Sequence, residues 1–217
     1  MPNIFFLKRY YWSTTILLGF LFGLTSFLVL DNGVTPEKYL EIYQKEKSKF
    51  EKRRLTDEIH YALKYIPQEL KLISLEKKGA MNQELFDEFK KDGKNYHEFL
   101  MQLSIPSFGA EFLKFKLDEG MTYEERLNYY SFEMKKDIKI IIDKDDTLFC
   151  SSYTFERNFG ASPNASFSIG FELPRSYNQL TILVDDKVFG NEHLSFDYLR
   201  KDIKVLPTLK NYKKWKN

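Results

Sequence analysis

The sequence of 217 residues has few of the features that most often indicate a function. One cysteine, Cys150, excludes an intramolecular disulfide and a metal site built from several cysteines, and we expect it to be a small core residue. Lysine and arginine number 33 against 31 acidic residues. The resulting net charge of +2 gives no general case for nucleic-acid binding, so we predict no nucleic-acid partner.

Motifs of common enzyme classes are also missing. The sequence contains no glycine-rich phosphate loop, no Gly-x-Ser-x-Gly elbow and no His-Glu-x-x-His zinc motif. The three histidines lie far apart in the sequence without ligand-like neighbours, and we expect structural roles for them. We therefore predict that the protein is not an enzyme and has no cofactor and no metal.

Aromatic residues, by contrast, are abundant. They make up 17% of the chain, with 20 phenylalanines and 14 tyrosines. So many rings can fill a hydrophobic core, which argues against disorder over most of the chain.

The first thirty residues have the composition of a membrane anchor. Residues 12–30 carry no charge, and nineteen helical residues come close to the hydrocarbon thickness of a bilayer, about 30 Å. The aromatic residues 10–12 suit a membrane interface, and no small-residue cleavage site follows. With Lys8 and Arg9 before the helix, we predict a single-pass signal anchor in the cytoplasmic (inner) membrane, with the N-terminus inside and a periplasmic domain.

A pattern of small residues within this segment suggests helix packing. Thr15, Gly19 and Gly23 recur every four residues, and such spacing lets two helix backbones approach closely. The alternative is that glycine is simply common in membrane helices. On the first interpretation, the partners are the lipid bilayer and other membrane protein subunits.

Residues 31–106 are predicted to be mainly helical. Thr35, Pro36 and Glu37 form a typical helix start, with an N-cap, a proline at the first position and an acid in the first turn. Apolar positions at Ile59, Leu63 and Ile66 fit a helical face. Further helices are expected at 82–91 and 96–103.

After Pro106 the apolar period changes to that of strands. Residues 122–136 fit either a helix, opened by Thr122-x-x-Glu125, or a strand. Short strands separated by turns then indicate an antiparallel β sandwich. The predicted strands are 138–142, 147–155, 166–172, 179–184, 187–190 and 194–199.

An acidic motif follows the first of these strands. Asp143-Lys-Asp145-Asp-Thr resembles the first motif of haloacid dehalogenase-like phosphatases, which implies Asp143 as nucleophile and Asp145 as general acid/base. Asp185 and Asp186 are similar to the magnesium-holding motif of that family. Strand-like sequence follows each acidic pair, however, and aspartate is a favoured turn residue, so we expect two hairpin turns instead.

The segment 153–160 alternates polar and aromatic residues. Tyrosine, phenylalanine and arginine are favoured at protein interfaces. The residues of this segment that we predict as a possible interface are Tyr153, Phe155, Arg157 and Phe159.

Together these patterns predict an α+β fold: a single N-terminal transmembrane helix, a helical linker region and a C-terminal antiparallel β-sandwich-like domain. The expected parts are a short N-terminal tail (1–9), the anchor (10–30), the helical region (31–106), the β domain (107–200) and a basic tail (201–217). The predicted function is that of a non-enzymatic subunit of a multiprotein envelope complex whose β domain contacts other proteins. The alternatives are a membrane-anchored ligand- or glycan-binding module and, less favoured, a phosphatase-type enzyme that uses Asp143 and Asp145.

Overall fold

Two antiparallel β-sheets dominate the computed structural model, which describes residues 33–215 except 57, 93–94, 107, 158–162 and 175. Apart from Gly33, the described residues belong to one compact unit, residues 34–217. Its strands are β1 (Glu51–Leu55), β2 (His60–Ile66), β3 (Tyr96–Ser104), β4 (Ile138–Ile142), β5 (Asp146–Phe149), β6 (Ser152–Glu156), β7 (Asn164–Glu172), β8 (Gln179–Asp186) and β9 (Asn191–Leu199).

The first sheet has the strand order β1-β2-β3-β7-β6, and the second has the order β5-β4-β8-β9. Every strand pairs antiparallel with its neighbours. The chain crosses from the second sheet to the first between β5 and β6, at Cys150 and Ser151. The two strands at this crossing, β5 and β6, are each at the edge of their sheet.

The core lies between the inner faces of the two sheets. Alternate residues of the strands β2, β3, β4 and β8 are buried, such as Ile138, Ile140 and Ile142 in β4. Phe99 of β3 and Tyr198 of β9 have ring centroids 5.2 Å apart. The Tyr198 hydroxyl also donates a hydrogen bond to the carbonyl oxygen of Leu63 (2.6 Å), which ties the two sheets together through a buried polar contact.

The helices are short and lie in the segments that precede, connect or follow the strands. They are α1 (Pro36–Lys45), α2 (Lys47–Phe50), α3 (Gln68–Lys77), α4 (Gln83–Asp92), α5 (Tyr123–Asn128) and α6 (Arg200–Ile203). The Thr35 side chain caps α1, and Thr122 and Glu125 form a capping box at α5. Residues 123–137 continue from α5 through a π turn and a 3₁₀ turn, so this segment is helical rather than a strand.

Residues 206–215 form a C-terminal strap that includes a 3₁₀ turn at Tyr212–Lys214. Its Leu209 makes a parallel bridge with Val34, so the two ends of the described domain lie side by side. Farther along, Trp215 packs edge-on against Phe86 of α4, with ring centroids 5.5 Å apart. The Tyr212 hydroxyl donates to the Glu76 carboxylate of α3 (2.6 Å).

The predicted α+β fold class, with its helical linker region, is wrong. Strands β1, β2 and β3 lie within residues 51–104, in the same sheet as β6 and β7, so the two antiparallel sheets extend far beyond the C-terminal β-sandwich-like domain that was expected. The apolar residues of β2 fit both a helical and a strand period. Burial of Tyr61, Leu63 and Tyr65 on one face shows that the two-residue period determines the structure.

The predicted anchor, residues 10–30 with Thr15, Gly19 and Gly23, lies outside the described residues. Among the described residues, no helix is both long and apolar enough to cross a bilayer. Helices α1, α3 and α4 have 10 residues each, about 15 Å at the usual rise, against about 30 Å of hydrocarbon. The structure therefore does not support the single-pass anchor or the inner-membrane localisation, and we withdraw both.

Candidate functional site

A cleft of about 430 Å³ opens where β2 ends and β3 begins. Helices α3 and α4 and the C-terminal strap form its other walls. The lining residues are Tyr65, Gln68, Glu69, Leu72, Phe89, Lys90, Tyr96, His97, Thr208 and Leu209. Its volume falls within the range of small-molecule sites, about 300 to 1,000 Å³, and its walls combine apolar and aromatic surface with a few polar groups.

The start of α3 places a carboxylate in this cleft. Pro67 ends the extended backbone of β2, and α3 begins at Gln68, so Glu69 lies in the first helical turn. The Gln68 amide donates to the carbonyl oxygen of Tyr96 (3.1 Å), which holds the helix start against β3. The Tyr39 hydroxyl of α1 donates to the Glu69 carboxylate across a long distance, 3.4 Å.

Partial burial changes the acidity of the Glu69 side chain. Burial raises the pKa of its carboxyl group, although its own backbone N–H and the Tyr39 hydroxyl lower that pKa in part. Lys90 is near enough to act on Glu69 through its charge. Its ammonium group, however, donates to the carbonyl oxygen of Leu209 (3.1 Å) and lies 4.9 Å from the centre of the Phe86 ring.

His97 supplies the second polar group of the cleft. Its imidazole lies between the rings of Tyr65 and Tyr177, at centroid distances of 5.7 Å in both cases. Burial, aided by the charge of Arg200, lowers the pKa of His97 to about 4, so the ring is neutral at pH 7. Its Nδ1 atom is buried and has no hydrogen-bond partner among the described residues. Buried polar atoms are normally hydrogen-bonded, so this nitrogen has hydrogen-bonding capacity that the described residues leave unused.

A second cleft, of about 570 Å³, is lined partly by Arg126, Lys116 and Glu58, but its charges already have partners. Lys116 pairs with Glu58 at 2.7 Å. The buried Arg126 guanidinium donates to five backbone carbonyl oxygens, those of Leu113, Phe115, Lys116, Glu119 and Met121. Arg126 thus organises the irregular loop before α5, and we assign this cleft a structural role.

The structure does not bring the two acidic motifs together. Asp143 follows β4 with a positive φ of 50°, as in a tight hairpin, and accepts hydrogen bonds from the backbone N–H groups of Asn178 and Gln179 (2.8 Å each). Asp185 stands at the opposite end of β8, six residues from Gln179, which is about 20 Å along a strand. A phosphatase site needs these carboxylates within a few ångströms of each other.

Asp186 points into the core. It is 0% exposed and accepts hydrogen bonds from the hydroxyls of Tyr61 (2.7 Å) and Tyr130 (3.1 Å) and from the backbone N–H of Val188 (3.1 Å). Burial raises the pKa of Asp186 to about 6, despite these hydrogen bonds, which act in the opposite direction. No group of three or more histidine, cysteine, aspartate or glutamate residues in the described part of the chain could hold a metal ion.

The predicted interface residues make internal contacts where they are described. The Tyr153 hydroxyl donates to the carbonyl oxygen of Tyr130 (2.6 Å), and the Phe155 ring stacks on Phe167 at 5.0 Å. Arg157 lies next to the small cleft that Phe155 also lines, and Phe159 is outside the described residues.

Sequence reasoning missed Glu69 and His97. Glu69 follows Pro67 in an ordinary helix-start pattern, and His97 is a lone histidine in an aromatic segment. They come together only because β2 and β3 pair and α3 folds back at the end of β2. No local signal in the sequence marks such a tertiary arrangement.

Comparison of the chain with protein-family models, with curated proteins and with solved structures finds no match in any of the three.

Proposed function

We propose that this protein binds a small organic ligand in the cleft between α3, α4, β3 and the C-terminal strap. The observation that carries the proposal is His97, which lines an aromatic cleft together with Glu69 and whose buried Nδ1 atom has no partner among the described residues. A pocket with apolar walls, a few polar groups and perturbed pKa values is typical of a binding site. That the protein is not an enzyme stays a prediction.

A fragment screen of the isotope-labelled full-length protein tests this proposal. We expect fragments that bind at millimolar concentration to shift the resonances of residues that line the cleft. Thr208 is an exposed residue at the cleft wall whose backbone, not its side chain, bonds to Val34, so Thr208→Trp fills the cleft while keeping that bond. The substitution should abolish these shifts, whereas Thr147→Trp, on the exposed side of β5, should leave them unchanged. Hits that map elsewhere, or that persist in Thr208→Trp, would refute the proposal.

A second candidate function is contact of the β domain with another protein. Phe149, at the end of β5, is 66% exposed, and Phe132 of the π turn is 64% exposed. The Cys150 thiol donates to the carbonyl oxygen of Lys135 (3.2 Å), so the segments that carry the two rings touch each other. Exposed aromatic side chains beside edge strands are typical of interaction surfaces.

Purification of the tagged full-length protein tests this second candidate. We expect a stoichiometric partner to remain through washing and to be lost when Phe132 and Phe149 are both replaced by serine. Leu55→Ser is the matched control, because Leu55 is 70% exposed on β1, the edge strand at the other side of the first sheet. Equal recovery of the partner with the wild type, the double variant and Leu55→Ser would exclude this surface as the site of contact.

A further inference from the structure

The carboxylate in the cleft has hydrogen-bonding capacity that the described residues leave unused. A carboxylate accepts about four hydrogen bonds. Glu69 receives one from the Tyr39 hydroxyl, at 3.4 Å, and one from its own backbone N–H. Glu69 is partly buried, and no ion pair joins its carboxylate to a basic side chain among the described residues.

The neutral imidazole of His97 offers a matching acceptor. A neutral imidazole has one N–H donor and one acceptor nitrogen. In the tautomer with the proton on Nε2, the buried Nδ1 atom accepts a hydrogen bond, and no described residue donates one to it. The cleft therefore contains two groups, the Glu69 carboxylate and the His97 imidazole, that can accept further hydrogen bonds.

The remaining walls suit the rest of a cationic ligand. The rings of Tyr65 and Phe89 line the cleft together with the Leu72 side chain. Aromatic faces attract cations, and they also pack against apolar groups. Lys90, which also lines the cleft, donates to the Leu209 carbonyl oxygen and lies over the Phe86 ring, and it makes no direct ion pair with Glu69.

We propose that the cleft binds a small organic amine in its ammonium form, which donates hydrogen bonds to the Glu69 carboxylate and to Nδ1 of His97. The apolar body of the amine packs against Tyr65, Leu72 and Phe89. This inference rests on the proposed function and adds the chemical class of the ligand to it.

Three probes with the same phenethyl-type body test the ligand class: phenethylamine, phenethyl alcohol and phenylacetate. Each is titrated into the full-length protein at neutral pH while the resonances of His97 and of the cleft amides are followed. The amine should bind with a Kd at least about tenfold lower than the alcohol, because its hydrogen bonds to Glu69 are charge-assisted. Phenylacetate should bind most weakly.

Two variants locate the origin of the preference. Glu69→Gln keeps the shape of the side chain and should remove the advantage of the amine over the alcohol. Glu84→Gln, at an exposed position in the first turn of α4, should preserve that advantage. Circular dichroism checks that both variants fold, and the comparison of the three probes on the unmodified protein decides the ligand class even when Glu69→Gln does not fold.

The outcomes separate this inference from the proposed function. If the alcohol or the acid binds as tightly as the amine, the ligand class is wrong while the cleft remains a binding site. An amine preference that survives in folded Glu69→Gln also overturns the assignment of Glu69. If none of the probes and no fragment shifts the cleft resonances, the proposed function and the inference both fail.

Discussion

Replacing Asp186 by asparagine should make the stability of the protein less dependent on pH. The Asp186 carboxyl is fully buried between the sheets, and burial raises its pKa from an ordinary value of 3.8 to about 6. The folded state therefore binds this proton more tightly than the unfolded state. Between pH 4 and 6, stability falls as the pH rises, because the unfolded chain releases the proton first.

The magnitude follows from the size of the pKa change. One pKa unit corresponds to about 1.4 kcal/mol, so a rise from 3.8 to about 6 makes the wild type lose about 2 kcal/mol of stability between pH 4 and 7 through this group, since the unfolded carboxyl is already partly ionised at pH 4. Asparagine carries no such proton. The difference in unfolding free energy between Asp186→Asn and the wild type should therefore shift by about 2 kcal/mol in favour of the variant from pH 4 to pH 7.

Urea denaturation at pH 4 and pH 7, followed by circular dichroism, measures this difference. Because each protein is compared with the wild type at the same pH, the contributions of other titrating groups cancel. Asp146→Asn is the control, since Asp146 is exposed at the start of β5. Its difference in unfolding free energy from the wild type should change far less between pH 4 and pH 7. A difference for Asp186→Asn that stays constant with pH, or that grows in favour of the wild type, would refute the burial argument.

Three further substitutions test the packing of the fold by urea denaturation at pH 7. Gly170→Ala should destabilise the protein by about 1 to 3 kcal/mol, because a Cβ atom there overlaps the Tyr96 hydroxyl and the Ser152 side chain; a neutral effect would contradict this close approach. Tyr198→Phe should cost about 1 to 2 kcal/mol, because it removes the buried hydrogen bond between the two sheets, and a loss below the error of the measurement would exclude that bond. Thr122→Ala should cost about 1 kcal/mol through loss of the α5 cap, while Thr122→Ser should restore most of it.

The sequence predicts best those elements in which local pattern and tertiary packing agree. The isoleucine-rich run 138–142, which contains Lys139, is β4, and the Thr122-x-x-Glu125 pattern is a capping box in the structure. Both signals are local, since a β-branched run and a side chain that bonds to its own helix start depend little on distant residues.

Other segments could not be predicted because distant residues decide them. The apolar positions of 60–66 fit two periods, and pairing with β1 and β3 selects the strand. Residues 147–155, predicted as one strand, divide into β5 and β6 because the chain changes sheets at Cys150. The alternating residues 113–117 are held in an irregular loop by Arg126, whose carbonyl partners no local pattern reveals.

The candidate site could not be predicted from the sequence either, because residues distant in the chain form it. The aspartates that resemble a catalytic motif are separated by the length of β8, and Asp143 bonds to backbone groups of a neighbouring segment. Glu69 and His97 become neighbours in one cleft only after the strands pair.

The imidazole nitrogens of His97 provide the most direct test of the account. Nitrogen resonances of the labelled full-length protein report the tautomer of the ring and the hydrogen bonding of each nitrogen. Without ligand, we predict a neutral ring at pH 7 whose Nδ1 atom accepts no hydrogen bond, and on addition of phenethylamine its resonance should move as a new bond forms. A His97 ring that is charged at pH 7, or an Nδ1 resonance that does not respond to any cleft-binding fragment, would contradict the account.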